Sequence, residues 1–248
     1  MSDLALPGIA GRVALVTGAS RGIGAAIAGL LAEHRARVGA ALDRIAADIQ
    51  AKGGEAVAVT ADVTDENAVW SPRESAERAF GPVTLLAACA GGGSRGGPLV
   101  EEATSGWRAT LETNLTSTFL TLKAFLPAMY EARRGAVVLM SSSAGRQLSG
   151  ASAAYAAAKA GLQSLMRQAA AEAAPNGVRI NAVAPSSIVT ERLAAQPPAV
   201  LEAIAKGFPL GRLGQVNDVS AASLFLLSEA ASWITGITLD IAGGRVMV

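Results

Sequence analysis

The sequence predicts an α/β fold, in which a doubly wound parallel sheet of about seven strands carries helices on both faces. Short apolar runs rich in valine, alanine and leucine alternate along the chain with longer amphipathic stretches. The runs are apolar throughout, which is typical of strands that are buried on both faces. Hydrophobic residues make up 51% of the 248 residues and charged residues 17%, which suits a large buried core. Because nothing resembles a linker, we predict a single domain over residues 1–248.

Seven strands and two long helices are predicted from these patterns. The helices cover residues 104–132 and 153–174, where the chain is amphipathic. Parallel strands need crossover connections, and the right-handed sense of those crossovers places helices on both faces of the sheet. The predicted strands are residues 13–17, 37–41, 56–60, 83–88, 136–140, 179–183 and 237–241.

A shorter helix is predicted to begin at Pro72 and to end at Phe80. Ser71 stands where a capping serine is expected, Pro72 takes the first helical position, and Glu74 follows in the first turn. Since proline lacks a backbone donor and crowds the chain before it, residues 65–70 are predicted to form a separate turn.

Charge and composition exclude several classes of protein. The chain has 21 basic and 20 acidic residues and no long run of either sign, so it lacks the basic surface of a nucleic-acid-binding protein. It contains no stretch of about 18 apolar residues, and its N-terminus lacks a signal-peptide pattern. One cysteine and one histidine form neither an internal disulfide nor a usual zinc site. We therefore predict a cytoplasmic protein with no metal, no membrane contact and no nucleic-acid partner.

A glycine-rich segment follows the first predicted strand and precedes a helix. It reads Thr17-Gly18-Ala19-Ser20-Arg21-Gly22-Ile23-Gly24. Glycines at such a turn let a pyrophosphate approach the free N–H groups and the positive dipole end of the helix. The spacing differs from the common G-x-G-x-x-G fingerprint, and a glycine trio alone also fits an ordinary tight turn. Its position after the first strand favours a nucleotide site, so we predict that a dinucleotide contacts Gly18, Ser20, Arg21, Gly22, Ile23 and Gly24.

Tyr155 and Lys159 stand four residues apart on a predicted helix, and therefore on one face of it. Ser142 follows a predicted buried strand, at the sheet edge where ligand-facing groups collect. Reducing a carbonyl needs a proton for its oxygen, but a free phenol, with a pKa of about 10, is poorly matched to neutral pH. A lysine about 4 Å away contributes roughly 4 kcal/mol, which would lower the phenol's pKa by up to about three units. A surface tyrosine beside a solvated lysine is the alternative interpretation.

Over residues 10–245 the chain resembles the short-chain dehydrogenase/reductase family, whose members have a Rossmann-type fold. The resemblance rests on the glycine-rich segment, on the 13-residue separation of Ser142 and Tyr155, and on matches elsewhere in the chain. It implies an NAD(P)-dependent oxidoreductase that interconverts a ketone and a secondary alcohol by hydride transfer. The other matching residues are Asp62, Val63, Asn114, Lys159, Pro185, Ile188 and Thr190.

The resemblance also implies a role for each matching residue. Tyr155 would be the acid and base, Lys159 would lower its pKa and hold the nicotinamide ribose, and Ser142 would orient the substrate oxygen. Asn114 would support a water relay that reaches Lys159. Cofactor contacts are implied at the adenine for Asp62 and Val63, at the nicotinamide amide for Ile188 and Thr190, and elsewhere for Ala90, Gly91 and Pro185.

The chain departs from the family pattern after the fourth predicted strand, where Ala88-Cys89-Ala90-Gly91 replaces the usual Asn-Asn-Ala-Gly. The asparagines normally tie the central sheet to the cofactor region, so we expect some loss of local rigidity. The departure supports an alternative function, a catalytically idle dinucleotide-binding protein with a regulatory or scaffold role. The complete set of Asn114, Ser142, Tyr155 and Lys159 argues against that alternative.

The choice between NAD and NADP depends on how residues 43–53 are placed, because this segment is about two helical turns shorter than in the family. Without a gap, Asp43 lies near the position where an acidic residue bonds the ribose 2′-OH and favours NAD. With a gap after Ala41, Asp43 is simply a helix residue. Arg21 could then meet the 2′-phosphate of NADP. Both cofactors stay open, and Arg21 favours NADP(H).

The segment of residues 187–213 is predicted to form a substrate lid, and its apolar residues suit a largely hydrophobic ligand. Among relatives, 3-oxoacyl reduction is the best-known reaction. Arg133 stands where the acyl-carrier-protein reductases of the family use an arginine, whereas their second arginine aligns with Asn176. Relatives commonly form tetramers or dimers, so we expect a homo-oligomer that packs its two long helices against a neighbour.

Overall fold

The computed structural model describes residues 6–40, 43–93 and 96–247. Its strands are β1 (Val13–Thr17), β2 (Arg37–Ala40), β3 (Ala56–Ala58), β4 (Val83–Ala88), β5 (Gly135–Met140), β6 (Val178–Pro185), β7 (Ile188–Val189), β8 (Gly214–Gln215) and β9 (Thr238–Ile241). Seven of them form one parallel sheet in the order β3-β2-β1-β4-β5-β6-β9. The doubly wound sheet predicted from the sequence is therefore confirmed. The short strands β7 and β8 form a separate parallel ribbon that the sequence did not predict.

Helices cover both faces of this sheet. They are α1 (Gly22–Glu33), α2 (Asp43–Ala51), α3 (Trp70–Phe80), α4 (Thr104–Leu111), α5 (Ser117–Glu131), α6 (Ala153–Ala173), α7 (Glu191–Ala194), α8 (Pro198–Ala205) and α9 (Val216–Leu227). One apolar core lies between the sheet and helices α1, α2 and α9, and the other lies between the sheet and helices α3, α5 and α6. In the described part of the chain, no helix is long and apolar enough to cross a bilayer.

The central strand β1 shows why the predicted strands are apolar at every residue. Val13 and Leu15 point into the core beneath α3, α5 and α6, whereas Ala14 and Val16 point into the opposite core. All four side chains are at most 3% exposed. Since successive side chains of a strand face opposite ways, a strand covered on both faces has no polar position to offer.

The helix predicted over residues 104–132 is interrupted, and this correction matters for the site. Helix α4 ends at Leu111, a π-helical turn spans Glu112–Thr116, and α5 begins at Ser117. The hydroxyl of Ser117 donates to the carbonyl of Thr113 at 2.7 Å, an alternative bond that a regular helix does not need. A π turn adds one residue to the helical ladder, and apolar periodicity does not register so short an insertion.

The prediction that a helix begins at Pro72 was wrong, because α3 begins at Trp70. Ser71 therefore lies inside the first turn and does not cap it, and Pro72 occupies the third helical position. A proline there costs no helical hydrogen bond, since the first four N–H groups of a helix have no partner within it. Asp65 supplies the polar contacts one turn earlier, where its Oδ1 accepts from the backbone N–H of Asn67 at 2.8 Å.

The remaining boundaries differ from prediction by one or two residues. The strand predicted over residues 56–60 ends at Ala58, although the N–H of Val59 still donates to Ala40. The last strand begins at Thr238, and β6 extends to Pro185. For the strand predicted over residues 37–41, Ala41 lies outside the described residues, and the helix predicted over residues 153–174 ends at Ala173.

Candidate active site

The glycine-rich segment forms the turn between β1 and α1, at the carboxyl edge of the sheet. The helix begins after Arg21, whose side chain makes no capping hydrogen bond, so the first N–H groups of α1 are open to a ligand. Gly18 has a φ of 65°, and a Cβ atom there would lie 2.8 Å from the backbone of Cys89 and Ala90. Only glycine fits both that conformation and that approach. Gly18 therefore lets the turn lie directly against the segment that follows β4.

Thr17 ties this turn to the segment after β4. Its Oγ1 accepts hydrogen bonds from the N–H groups of Cys89 at 3.1 Å and Ala90 at 3.2 Å. These bonds join the central sheet to the glycine turn, the connection that the missing asparagines were expected to weaken. No role for Thr17 itself was predicted from the sequence, although it is the first residue of the glycine-rich segment.

A cavity of about 700 Å³ opens beside the glycine turn and contains most of the predicted site. It lies between the ends of β1, β4, β5 and β6 and the beginning of the predicted lid. Predicted residues that line it are Gly18, Ser20, Arg21, Gly22, Ile23, Gly24, Gly91, Ser142, Tyr155, Lys159, Pro185, Ile188 and Thr190. Asp43, Asp62, Val63, Ala90 and Asn114 are not among its lining residues.

Ser142 and Tyr155 meet at the centre of this cavity. Ser142 follows β5 in an extended conformation, and its Oγ accepts from the N–H of Ala144 at 3.2 Å. Burial raises the pKa of the Tyr155 hydroxyl, and a smaller hydrogen-bond contribution from the Ser142 side chain lowers it. Tyr155 lies in the first turn of α6, where the hydroxyl of Ser152 caps the helix by accepting from the N–H of Tyr155 at 3.3 Å. The cap fixes the backbone that carries the phenol.

Lys159 lies one turn further along α6, on the face that carries Tyr155. It is only 3% exposed, its Nζ donates to the carbonyl of Met140 at 2.8 Å, and Nζ lies 5.5 Å from the centre of the Tyr155 ring. Burial lowers the pKa of Lys159 to about 8. In the chain alone burial raises the pKa of Tyr155, so the net shift is opposite to the one expected from sequence, and the lowering by Lys159 stays a prediction.

Asn114 lies in the π-helical turn, and its side chain is fully engaged with backbone groups. Its Oδ1 accepts from the N–H of Gly92 at 3.0 Å, and its Nδ2 donates to the carbonyls of Gly92 at 3.1 Å and Thr110 at 3.0 Å. Gly91 has a φ of 134°, and a Cβ atom there would lie 2.7 Å from Oδ1 of Asn114 and 3.5 Å from Nζ of Lys159. Asn114 thus fixes the chain after β4 against Lys159 and positions the floor of the cavity.

Beyond the glycine turn, the structure adds one cation to those expected from sequence. Arg44, in the first turn of α2, donates from Nη2 to the carbonyl of Ser20 at 3.4 Å, which brings it beside Arg21. The sequence did not predict Arg44 as a site residue, because the placement of residues 43–53 was open and the distance of Arg44 from the glycine turn was therefore unknown. Asp43 is an exposed residue in the same helical turn, where an acid is favourable at the positive end of a helix.

The two residues expected at the adenine lie away from the cavity lining. Asp62 is exposed, and its Oδ1 accepts from the N–H of Thr64 at 2.9 Å and from the Thr64 hydroxyl at 2.6 Å. These bonds, the hydroxyl first, lower the pKa of Asp62. Val63 stands beside it in the connection after β3 and is partly buried. Both therefore belong to an ordered surface turn.

The predicted lid consists of helices α7 and α8 between the strands of the β7–β8 ribbon. Residues 188 and 214 pair in that ribbon, so both ends of the segment are joined at the edge of the cavity. The side of α7 toward the cavity carries Arg192, whose Nη1 donates to the carbonyl of Gly93 at 2.8 Å. Arg192 belongs to no motif, so sequence reasoning missed it.

Arg133 and Asn176 lie at the opposite edge of the sheet. Arg133 precedes β5, whereas Ser142 follows it, so a strand of about 20 Å separates the two ends. Nη2 of Arg133 donates to the carbonyl of Pro175 at 2.9 Å, which places it beside Asn176. The two positions considered for a carrier protein are therefore neighbours on one surface, and only one of them is cationic.

Comparisons with known proteins agree over nearly the whole chain. A family model described as enoyl-(acyl carrier protein) reductase matches residues 18–245. The chain is 40% identical to the cis-4-hydroxycyclohexanecarboxylate dehydrogenase of Sinomonas cyclohexanicum, over 96% of this chain and 97% of that protein. It is 38% identical to the 3-oxoacyl-(acyl-carrier-protein) reductase of Escherichia coli K12, over 96% and 98%. A crystal structure of a 3-oxoacyl-(acyl-carrier protein) reductase from Brucella melitensis matches with a TM-score of 0.91 at 36% identity, over 99% of this chain and 95% of that one.

Proposed function

The chain belongs to the short-chain dehydrogenase/reductase family, and on that premise we propose that it uses NADP(H) and carries the reaction's proton on Tyr155. Membership makes it an NAD(P)-dependent oxidoreductase that interconverts a carbonyl and an alcohol. The observation that carries the proposal is the placement of Ser142, Tyr155 and Lys159 together in the cavity that the glycine turn borders.

The residues at the glycine turn fit a dinucleotide. Open N–H groups at the start of α1 suit a pyrophosphate, and Gly18 lets the turn pack directly on the backbone of Cys89 and Ala90. Gly22, Ile188 and Thr190 line the same cavity as Tyr155. When bound there, the cofactor supplies or accepts the hydride at the reacting carbon.

Proton transfer is proposed for Tyr155. In the reducing direction its hydroxyl gives a proton to the carbonyl oxygen as that oxygen gains negative charge, and in the oxidising direction the phenolate takes a proton from the alcohol. Ser142 donates a hydrogen bond to the same oxygen and fixes it within reach of the phenol. The buried ammonium of Lys159 stabilises the phenolate and holds the ribose, while its bond to Met140 fixes its position.

NADP(H) is proposed over NAD(H) because two cations stand at the adenosine end of the turn. Arg21 and Arg44 lie near the end of β2, where an arginine accommodates the 2′-phosphate in this fold. An arginine–phosphate bond is worth about 1.5–3 kcal/mol. Arg44→Ala is therefore expected to raise the KM for NADPH ten- to a hundredfold and to leave the KM for NADH unchanged. The exposed Arg78 on α3 provides a control, Arg78→Ala, and equal effects on both cofactors would contradict the preference.

The role of Tyr155 is tested with Tyr155→Phe, which removes only the hydroxyl. Turnover, followed as nicotinamide absorbance over a panel of ketones and alcohols, is expected to be abolished, while nucleotide binding stays nearly intact. The second tyrosine of the chain, Tyr130, lies on α5 away from the cavity and gives the matched control Tyr130→Phe. Wild-type rates from Tyr155→Phe would end the assignment. Nucleotide binding without turnover in the wild type would favour the catalytically idle alternative.

The names of the relatives mention two kinds of substrate. One relative is a 3-oxoacyl reductase acting on acyl carrier protein, and another is a dehydrogenase of a ring alcohol that bears a carboxylate. Arg133 supports the carrier protein, but Asn176 in place of a second arginine does not. We therefore include a 3-oxoacyl thioester in the panel and confine the proposal to the ketone and secondary-alcohol reaction.

The remaining expectations are proposals about the whole molecule. The lid is proposed as residues 187–213 of one domain, since the β7–β8 ribbon joins its two ends. A homo-oligomer in the cytoplasm is proposed on the family's habit of pairing its long helices. The exposed Phe119 on α5 suits such a contact. Light scattering at several protein concentrations tests this, and a monomer at all of them would contradict it.

A further inference from the structure

The lid places a cation at the reaction site. Arg192 is an exposed residue of α7, and it lines the same cavity as Ser142 and Tyr155. Its Nη1 donates a hydrogen bond of 2.8 Å to the carbonyl oxygen of Gly93, in the segment after β4. This bond joins two sides of the cavity and anchors the guanidinium at a fixed point.

That point lies against the phenol. A Cβ atom at Gly93 would lie 3.3 Å from Cζ of Tyr155, the ring carbon that bears the hydroxyl, and 3.4 Å from Cε1 and Cε2. Thr190 faces the other way, because its Cγ2 would lie 3.4 Å from a Cβ atom at Gly22 in the glycine turn. The lid therefore presents Thr190 to the cofactor and Arg192 to the side of the cavity where the substrate reacts.

Arg192 forms no ion pair within residues 6–40, 43–93 and 96–247. Its neighbour Glu191 lines the same cavity, but Oε2 of Glu191 lies toward the glycine turn, 3.8 Å from the position of a Cβ atom at Gly22, on the side that Thr190 also faces. A guanidinium has five N–H donors, and the described contact uses Nη1 alone. The other two cations that line the cavity lie elsewhere: Lys159 donates to the carbonyl of Met140, and Arg21 lies in the glycine turn.

We propose that Arg192 binds a carboxylate on the substrate, so that the enzyme acts on oxo and hydroxy acids in preference to neutral ketones and alcohols. This inference rests on the function proposed above. The planar fork of the guanidinium matches a carboxylate through two parallel hydrogen bonds. Held there, the acid orients the remainder of the substrate toward the hydroxyl of Tyr155, which an uncharged substituent cannot do as strongly.

Two ketones that differ in one charge test the proposal, 4-oxocyclohexanecarboxylate and its methyl ester, each with saturating NADPH. The wild type is expected to prefer the acid. Arg192→Gln is expected to lower kcat/KM for the acid roughly ten- to a hundredfold, because it removes charge-assisted hydrogen bonds to the carboxylate. The same variant should change kcat/KM for the ester less than about threefold. Lys206→Gln, which removes another exposed charge of the lid region, should change neither substrate. The KM for NADPH should stay the same in both variants.

A binding measurement on the enzyme–NADP⁺ complex keeps the test independent of turnover. Calorimetry with cyclohexanecarboxylate and cyclohexanecarboxamide is expected to show tighter binding of the carboxylate to the wild type and no difference in Arg192→Gln. Equal binding of both probes to the wild type would overturn the proposal. It would also be overturned if Arg192→Gln lowered kcat/KM equally for the acid and the ester and raised the KM for NADPH, because Arg192 would then bind the cofactor. Turnover of the ester without any preference for the acid would overturn this inference alone and leave the oxidoreductase function intact.

Discussion

Replacing Lys159 by methionine should change how the stability of the cofactor-free protein depends on pH. The lysine is 3% exposed, and burial lowers its pKa from 10.5 to about 8 in the folded state. Below pH 8 the amine is protonated in both the folded and the unfolded chain, so the folded state carries the full cost of a buried charge. Between pH 8 and 10.5 the folded chain loses this proton while the unfolded chain keeps it. Stability from this group therefore rises with pH.

The size of the effect follows from the shift. A change from 10.5 to about 8 corresponds to about 3 kcal/mol. Only part is recovered in an accessible pH range, and linkage gives about 2 kcal/mol between pH 7 and pH 9.5. Lys159→Met has no such group. Its missing bond to the carbonyl of Met140 lowers stability by a similar amount at every pH, so that loss cancels from the comparison.

Urea unfolding at pH 7, 8, 9 and 9.5, at one fixed protein concentration, measures this difference. The free energy of unfolding of the wild type, minus that of Lys159→Met, should rise by about 2 kcal/mol across the series. Lys52→Met removes an exposed lysine at the end of α2 and should run parallel to the wild type. A wild type and Lys159→Met that stay parallel within about 0.5 kcal/mol would refute the claim that the folded chain holds a strained cation beside Tyr155.

Two further variants test the surroundings of Tyr155. Because the hydrogen bond with Ser142 lowers the pKa of Tyr155, Ser142→Ala should move the midpoint of the pH profile of kcat/KM for alcohol oxidation to higher pH, by up to about one unit. An unchanged midpoint would contradict this role. Ser152→Ala removes the cap of α6 and should lower the free energy of unfolding by about 1 kcal/mol. Ser164 is exposed on the same helix, so Ser164→Ala should leave this free energy unchanged. Equal free energies for the two variants in urea unfolding would count against the cap.

Local rules predicted most of the sheet and the phenol–amine pair. A strand covered on both faces must be apolar at each residue, so β1 and its neighbours are readable without any tertiary information. Tyr155 and Lys159 needed only helical spacing to fall on one face. The pKa values of the two side chains could not be predicted from the sequence, because the cost of burying their charges depends on the residues around them, which come from distant parts of the chain.

The missed residues share a different property. Thr17, Arg44 and Arg192 act through one or two hydrogen bonds to backbone groups that lie 24 to 99 residues away, and no repeated spacing marks them. The start of α3 at Trp70 was missed for a related reason, since a proline is harmless anywhere in the first helical turn. Contacts of this kind become visible only when the fold brings the segments together.

The π-helical turn at Glu112–Thr116 has a consequence for what lengths this region can take. Each residue turns an α-helix by about 100°, so the additional residue changes which faces α4 and α5 present: α4 packs on α6, whereas α5 contacts α3, α6 and the sheet. Deleting one residue would straighten the ladder, rotate one half of the helix against the other, and carry the Asn114 side chain away from Gly92. This joint therefore has to preserve its residue spacing as well as the Asn114 side chain, which bonds the backbone of Gly92 and Thr110.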